Sequence, residues 1–546
     1  MGIVSERREM RNSNIGTPAA GDQGTLSSNE QRARFSLDCS ALKPAGIPQE
    51  HTFHKVLERR RGERPRKKPL RVLKFGGTSV ADASCIGKVA DIIRAELRES
   101  NVVAVISAMS GVTNKLVAAA KASESRDRKS VARIFEELRT QHEAVASVLI
   151  HSAAARKQMA RTMKDVFREG DNLCRGTILL RELTPRALDS ISSLGERLSA
   201  PLVAAALAER GVASKAIDAT ELVVTDSSHG AAEPLMDLTH ERCKARIRPL
   251  LSQGIVPVVT GFIGATADGI VTTLGRNGSD YSATILGAAL NADEVVIWSD
   301  VDGVLTVDPR LVPGVSTIPE ISYREAAELA YFGAKVLHPK TLRPVMKSGT
   351  PIWIRNTFAP EGRGTKITPS GCPQVGRVKA LTAISELALI TVGGPGIVGV
   401  RDVLGRTFKT TAAVHADVLL VLQSSSQNDI CFVVTSGVAE RTIEALRREF
   451  ANDLAREEVE HITLNPDVAI VAVVGEKVGS TPGIAARTLC ALGRDNVNII
   501  AIAQGSSETN ISFLVARKDT KTALMAAHQE FWLGELHCGA ASASCA

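Results

Sequence analysis

Aromatic residues are scarce: Phe, Tyr and Trp together make up 3% of the 546 residues. A protein that holds single-stranded nucleic acid by stacking bases on aromatic rings needs more of them. Cysteine pairs at metal or redox spacing are missing too. The nine cysteines are Cys39, Cys85, Cys174, Cys243, Cys372, Cys431, Cys490, Cys538 and Cys545. No two stand as CxxC, and an odd count is a poor disulfide framework, so reduced thiols in a cytoplasmic protein are expected. No uninterrupted apolar run reaches the roughly 18–20 residues of a membrane span. The N-terminus lacks the apolar core of a secretion signal. Neither a membrane nor a nucleic acid is expected as a partner.

Charge of one sign is also nearly absent from most of the chain. The formal net charge is +7, from 66 Lys and Arg against 59 Asp and Glu. Residues 1–69 alone carry 14 basic and 8 acidic side chains, a balance of +6, which leaves about +1 for the rest. This segment is polar and aperiodic and ends in the basic run Arg59–Lys68. It reads as a disordered basic extension. Its eight acidic residues argue against an organellar transit peptide.

From Leu70 the pattern changes to β-branched runs alternating with helical segments. Strands are predicted at Arg71–Phe75, Val102–Ile106, Lys215–Ile217, Leu222–Thr225, Ile255–Thr260, Glu294–Trp298 and Ile352–Arg355. Helices are predicted at Asp82–Arg98, through 112–150, and at 195–210, 239–252, 280–290, 322–331 and 337–348. Strands separated by helix-length segments make an α/β fold, a mostly parallel sheet between helices. Around Glu361–Val378 the composition turns to Gly, Pro, Thr and Ser and marks a boundary. Beyond it a shift of 81 residues lays Gln423–Val434 on Gln504–Val515, and Arg406-Thr407 on Arg487-Thr488. Each copy reads β-α-β-β-α, a small α+β module, and two copies suggest a pair packed on one another.

Several segments at strand ends carry chemistry. Lys74-Phe75-Gly76-Gly77-Thr78-Ser79 pairs a lysine with a Gly-rich turn, whose N–H groups suit anions. Gly275-Arg276-Asn277-Gly278-Ser279-Asp280 opens a helix with an arginine able to clamp a carboxylate. Ser299-Asp300-Val301-Asp302-Gly303 follows a strand and suits ribose, adenine or hydrated Mg²⁺ contacts. Glu196 opens a helix and can meet an amino group, Ser107–Thr113 supplies hydroxyls and turn N–H groups, and Lys335 lies between two helices. Two lysines, an arginine, carboxylates and Gly-rich turns at strand C-terminal ends fit phosphoryl transfer by positioning and charge neutralisation.

The full motif set resembles aspartate kinase of the amino-acid kinase family. It comprises KFGGTSV (74–80), SAMSGVT (107–113), SLGE (193–196), GFIG (261–264), TTLGRNGSDYSA (272–283), W-S-DVDGV-x-T-x-DPR (298–310) and FGAKVLHP (332–339). It is most similar to the kinase half of the bifunctional aspartate kinase–homoserine dehydrogenases, without the dehydrogenase. The resemblance implies an amino-acid kinase fold followed by two ACT domains: a basic extension at 1–69, a catalytic domain at 70–365, ACT domains at 380–455 and 463–535, and a tail at 536–546. It also implies transfer of the ATP γ-phosphoryl group to the β-carboxylate of L-aspartate, the first step toward lysine, threonine and methionine.

By the same resemblance Lys74 stabilises the transferring group and Asp280 orients it. Ser107, Thr113, Glu196, Phe262, Arg276 and Ser279 line the aspartate site. Lys74, Gly76, Gly77, Ser79, Ser299, Asp300, Arg310, Lys335 and Val336 contact ATP, which brings Mg²⁺; no resident metal site is expected. ACT domains imply an amino-acid effector and a homodimer or homotetramer. The effector residues would be Pro482, Gly483, Ile484, Asn498 and Gln504 in the second copy, and Asp417 and Gln423 in the first. The QSSS-type motifs point to threonine, and Asp417 to lysine as second candidate. Two alternatives are a kinase for another acidic amino acid and a catalytically silent amino-acid sensor.

Overall fold

The computed structural model describes residues 68–333, 337–372, 376–394, 402–423, 428–505, 508–531 and 533. The predicted extension, apart from its last two residues, and the tail lie outside these, as do Lys335 and Val336.

The N-terminal half is a sheet between helices. Its strands are β1 (Leu70–Phe75), β2 (Asn101–Ile106), β3 (Ser214–Ile217) and β4 (Val256–Thr260); a hairpin of β5 (Ile263–Ala265) and β6 (Val271–Thr273); and then β7 (Glu294–Ser299), β8 (Glu320–Ser322), β9 (Ile352–Asn356) and β10 (Thr365–Thr368). The eight-stranded sheet runs β3-β4-β2-β1-β7-β9-β10-β8. Its central neighbours are parallel, and only the β9–β10 pair is antiparallel. β1 and β2 are buried almost end to end, as near-continuous apolar strands covered on both faces should be. Parallel pairing puts the C-terminal ends of β1, β2, β4 and β7 on one edge.

Two expectations need correcting. Leu222–Thr225 is not a strand: a 3₁₀ turn at Ala219–Glu221 leads into isolated bridges, Val224 with Ala265 and Thr225 with Pro234. These residues are buried by the β5–β6 hairpin, and a short apolar run does not say which partner buries it. The helices expected through 112–150 are Val112–Glu124 and Arg128–Leu149, separated at Asp127, whose carboxylate caps the second by accepting from the Ser130 N–H. A 28-residue helix, Ala153–Leu180, follows.

The second correction concerns the repeats, which lie side by side in one sheet. Its strands are β11 (Ala380–Gly393), β12 (Leu420–Gln423), β13 (Asp429–Thr435), β14 (His461–Val474), β15 (Ile499–Ala503) and β16 (Asn510–Ala516), in the order β12-β13-β11-β14-β16-β15. β11 and β14 are each 14 residues long and pair antiparallel from Ala380↔Val474 to Gly393↔His461. One half of each strand therefore serves its own copy and the other half its neighbour: Leu381 of β11 packs with Val471 and Val473, and Ile462 of β14 with Ile390 and Phe432.

The repeat survives in three dimensions. Arg406 bonds Glu449 at 2.8 Å and lies 4.4 Å from the Phe450 ring; Arg487 bonds Glu530 at 2.9 Å and lies 4.6 Å from Phe531. Gly483 starts the second-copy helix Ile484–Arg494 at φ +90°, and Asp402 takes the same left-handed place before Val403–Ala413 at φ +75°.

The two halves meet through a buried polar junction. Glu325, 1% exposed, accepts from Lys379 Nζ at 2.9 Å, from the Ser322 N–H at 2.7 Å and from the Glu476 N–H at 2.8 Å. A buried charge is tolerated when every lone pair is met in this way.

Candidate active site

Lys74 is the fifth residue of β1, held between Val105 of β2 and Ile297 of β7. It opens on a cleft of about 560 Å³ at the strand C-terminal ends. The cleft is lined by Lys74, Gly76, Gly77, Ser107, Thr113, Glu196, Phe262, Arg276, Ser279, Asp280, Ser299 and Asp300. These residues come from segments spread over more than 200 positions, and the parallel sheet brings them to one edge.

Lys74 and Asp280 are 8% and 7% exposed, and Nζ lies 2.5 Å from Oδ1. The two form a nearly buried ion pair. Asp280 lies in the first turn of the helix Gly278–Leu290, where the helix dipole favours an anion. Asn277 precedes that helix in the left-handed region, at φ +57°. Phe262 is also left-handed, at φ +67°, and its N–H donates to Ser282 Oγ at 2.9 Å.

Glu196 lies in the first turn of the helix Leu194–Glu209. Gly195 beside it is required by close packing, since a Cβ there would stand 2.7 Å from Ala108 Cβ. That approach brings the Glu196 carboxylate to the Ala108 N–H at 3.1 Å, while Oε2 stays buried without a partner. Burial pushes the Glu196 carboxyl up to about 8, and the backbone N–H groups of Ala108 and of Glu196 itself offset it only in part. Arg276 is exposed and makes no ion pair among the described residues.

Two expected residues are not brought into the cleft. Ser79 is fully buried, and its hydroxyl pairs with Thr357 Oγ1 at 2.7 Å behind β1. Arg310 is exposed and clamped by Asp308 at 2.6 Å. It lines a separate cavity of about 300 Å³ with Leu305, Leu381 and Leu524. Ser79 is taken by a partner far outside its motif, while Arg310 is held by the aspartate of its own motif. Conversely, Met109, Asn114 and Asn277 line the cleft although the sequence reading assigned them no role.

Of the effector residues, Pro482, Gly483, Asn498, Gln504, Asp417 and Gln423 are exposed, and Ile484 is buried. Gln504 donates its amide to the Gly479 carbonyl across the turn that leads to Pro482. Asp417 stands near Tyr331 and, after burial, helps push its hydroxyl up.

The amino acid kinase family model matches residues 69–356, which contain every segment of this cleft. The chain belongs to the amino acid kinase family. An ACT domain model matches twice, at 390–450 and 471–531, beside the kinase domain. The chloroplastic bifunctional aspartokinase/homoserine dehydrogenase 1 of Zea mays is 35% identical over 473 residues, covering 85% of this chain and 50% of that protein. The chain thus spans about half the length of the bifunctional relatives it matches. Chloroplastic aspartokinase 1 of Arabidopsis thaliana is 30% identical, covering 84% of this chain and 80% of that one. E. coli aspartokinase III is similar in structure. Its complex with lysine and aspartate is 30% identical at TM-score 0.70, covering 85% of this chain and 99% of that one. Its complex with aspartate and ADP is 29% identical at TM-score 0.68, covering 85% and 100%. No helix among the described residues is long and apolar enough to cross a membrane.

Proposed function

We propose that the kinase domain transfers the γ-phosphoryl group of ATP to the β-carboxylate of L-aspartate, giving ADP and 4-phospho-L-aspartate. The observation that carries this reading is the pair of unpartnered groups in one cleft: the Glu196 carboxyl with a buried free oxygen, and Arg276 with no counter-ion among the described residues. An α-amino acid presents an ammonium and a carboxylate to such a pair. A β-carboxylate oxygen then forms the new O–P bond, and the bridging bond to ADP breaks. The substrate is its own nucleophile, so no protein base is required. Lys74 neutralises charge on the transferring oxygens, and Asp280 holds it in place.

Ser107, Thr113, Phe262 and Ser279 complete the aspartate side. Gly76, Gly77, Ser299 and Asp300 serve the phosphates, and Lys335 and Val336 belong to the same nucleotide assignment. Among the described residues no cluster of three acidic, His or Cys side chains would hold a metal alone. Mg²⁺ would arrive on the nucleotide, met by Asp300 and Ser299, and would screen charge between the phosphates.

A hydroxamate assay with ATP and aspartate, glutamate or acetylglutamate tests the reading. Turnover is expected on aspartate. Arg276→Ala should raise the KM for aspartate about 10²-fold, the loss of a charged bidentate contact, with the KM for ATP little changed. Absence of turnover on aspartate would sink the assignment.

The ACT pair is assigned to feedback inhibition, with threonine as the effector and lysine, which accompanies the similar E. coli enzyme, as the competing one. Homo-oligomer formation through the outer strands belongs to the same assignment, since Val421 of β12 and Ile500 and Ile502 of β15 are exposed. Activity titrated with each amino acid, read beside light scattering, checks both. Inhibition by threonine at a lower concentration than lysine in a dimer or larger is expected, and insensitivity to both would refute it.

A further inference from the structure

Asp189 lies outside the cleft and contacts none of the reacting groups, yet it is 2% exposed and has four contacts with donors. It sits on the short helix Pro185–Ser192. Its Oδ1 accepts from Thr273 Oγ1 at 2.5 Å, and the Gly230 N–H lies 3.1 and 3.0 Å from its two oxygens. Oδ2 meets His229 Nδ1 at 2.8 Å. A carboxylate removed from water needs this many partners, and here they all come from two segments.

Both segments lead to Arg276. Thr273 ends β6, three residues before it. Gly230 lies against the turn itself: a Cβ on Gly275, at φ +80°, would stand 3.0 Å from the Gly230 carbonyl. The Ala232 N–H bonds the Thr273 carbonyl at 2.9 Å and ties the two together. The helix that carries Asp189 is joined to the next through Ser193 alone, and that next helix opens with Glu196. The Ser193 N–H bonds the Asp189 carbonyl at 3.0 Å, so the join is itself held. One helical unit thus carries Glu196 directly and grips the Arg276 turn through Asp189.

We infer that Asp189 is a positioning residue for substrate recognition: by holding Gly230 and Thr273 it sets the Arg276 turn at a fixed span from Glu196. The span then matches one amino-acid backbone, the group common to the ammonium and carboxylate ends. The inference rests on the proposed pairing of Arg276 with the substrate carboxylate and adds the residue that enforces its geometry. A loosened turn weakens binding of the amino acid. It leaves the Lys74–Asp280 pair and the nucleotide side in place, because none of their contacts passes through Asp189.

The experiment is steady-state kinetics of the full chain with ATP and aspartate, beside thermal unfolding. Asp189→Ala is expected to raise the KM for aspartate tenfold or more, with kcat and the KM for ATP within threefold of the parent. Asp189→Asn keeps an acceptor for Gly230 and an amide for His229, and should hold the KM for aspartate within threefold. Should Asp189→Ala fail to fold, Thr273→Val removes one of the contacts and should raise the same KM about threefold. Arg276→Ala separates the two levels. If it leaves the KM for aspartate unchanged, the carboxylate assignment fails and this inference with it. If it raises that KM while Asp189→Ala and Thr273→Val do not, the inference alone is overturned. A parallel change in kcat and both KM values would also overturn it, as the mark of a general structural role.

Discussion

Replacing Lys74 by alanine should lower kcat about 10²–10³-fold, the usual cost of removing one aimed positive group from a transition state that gathers charge. The physical reason is placement. Nζ is nearly buried, and the β1 backbone and Asp280, 2.5 Å away, fix where it can point. Little reorganisation is then needed when charge builds on the phosphoryl oxygens. The same burial means that Lys74→Ala leaves the Asp280 carboxylate without its counter-ion, so the thermal midpoint should fall too. Adding Asp280→Asn should recover the midpoint and leave kcat low. If stability and kcat recover together in the double variant, Lys74 acts on the fold and not on the chemistry. Protection of the fold by aspartate, read as a rise in the midpoint, should persist in Lys74→Ala, since Glu196 and Arg276 are untouched.

Aspartate binding should strengthen as pH rises toward and through about 8, because that is where burial has pushed Glu196. Below this the carboxyl is mostly protonated and offers an ammonium no charge. Above it the carboxylate is available, and Oε2, now without a partner, would receive one. Binding at lower pH must release a proton, so the KM for aspartate should fall on the order of tenfold between pH 6.5 and 8.5. Glu196→Gln should flatten that profile and leave the KM at or above the parent's value at low pH.

The stability consequence has the opposite sense. Between the ordinary carboxyl range, near 4.5, and about 8, the folded chain holds a proton that the unfolded chain has lost. Stability of the free protein therefore falls as pH rises through that window, and Glu196→Gln removes this component. A KM for aspartate that is flat in the parent from pH 6.5 to 8.5 would remove Glu196 from the amino-group assignment.

Motif and periodicity carried the site a long way. Lys74, Arg276 and Asp280 could be read because each lies in or beside a Gly-rich turn between a strand and a helix, a local pattern with a local cause. Parallel strands then bring such turns to one edge regardless of the intervening sequence. The 81-residue repeat was legible for a similar reason: Arg406 and Arg487 each find a Glu and a Phe at equal spacing along their own copy.

What the sequence by itself determined is the order of strands and helices around the motifs, the charged groups available to the cleft, and the existence of two homologous regulatory units. Only the tertiary structure decided how those groups are used. Ser79 is drawn to Thr357, 278 positions away, and does not reach the cleft. Asp189 becomes a structural hub through partners 40 to 84 residues distant. β11 and β14 are long enough to pass through both regulatory units, which turns two modules into one sheet. The altered acidity of Glu196 also belongs here. A carboxyl at a helix start reads as an exposed anion until Gly195 lets that helix close against Ala108 and shuts out the water. Local pattern sets where the backbone turns, while burial and long-range pairing set what each side chain can do once it is there.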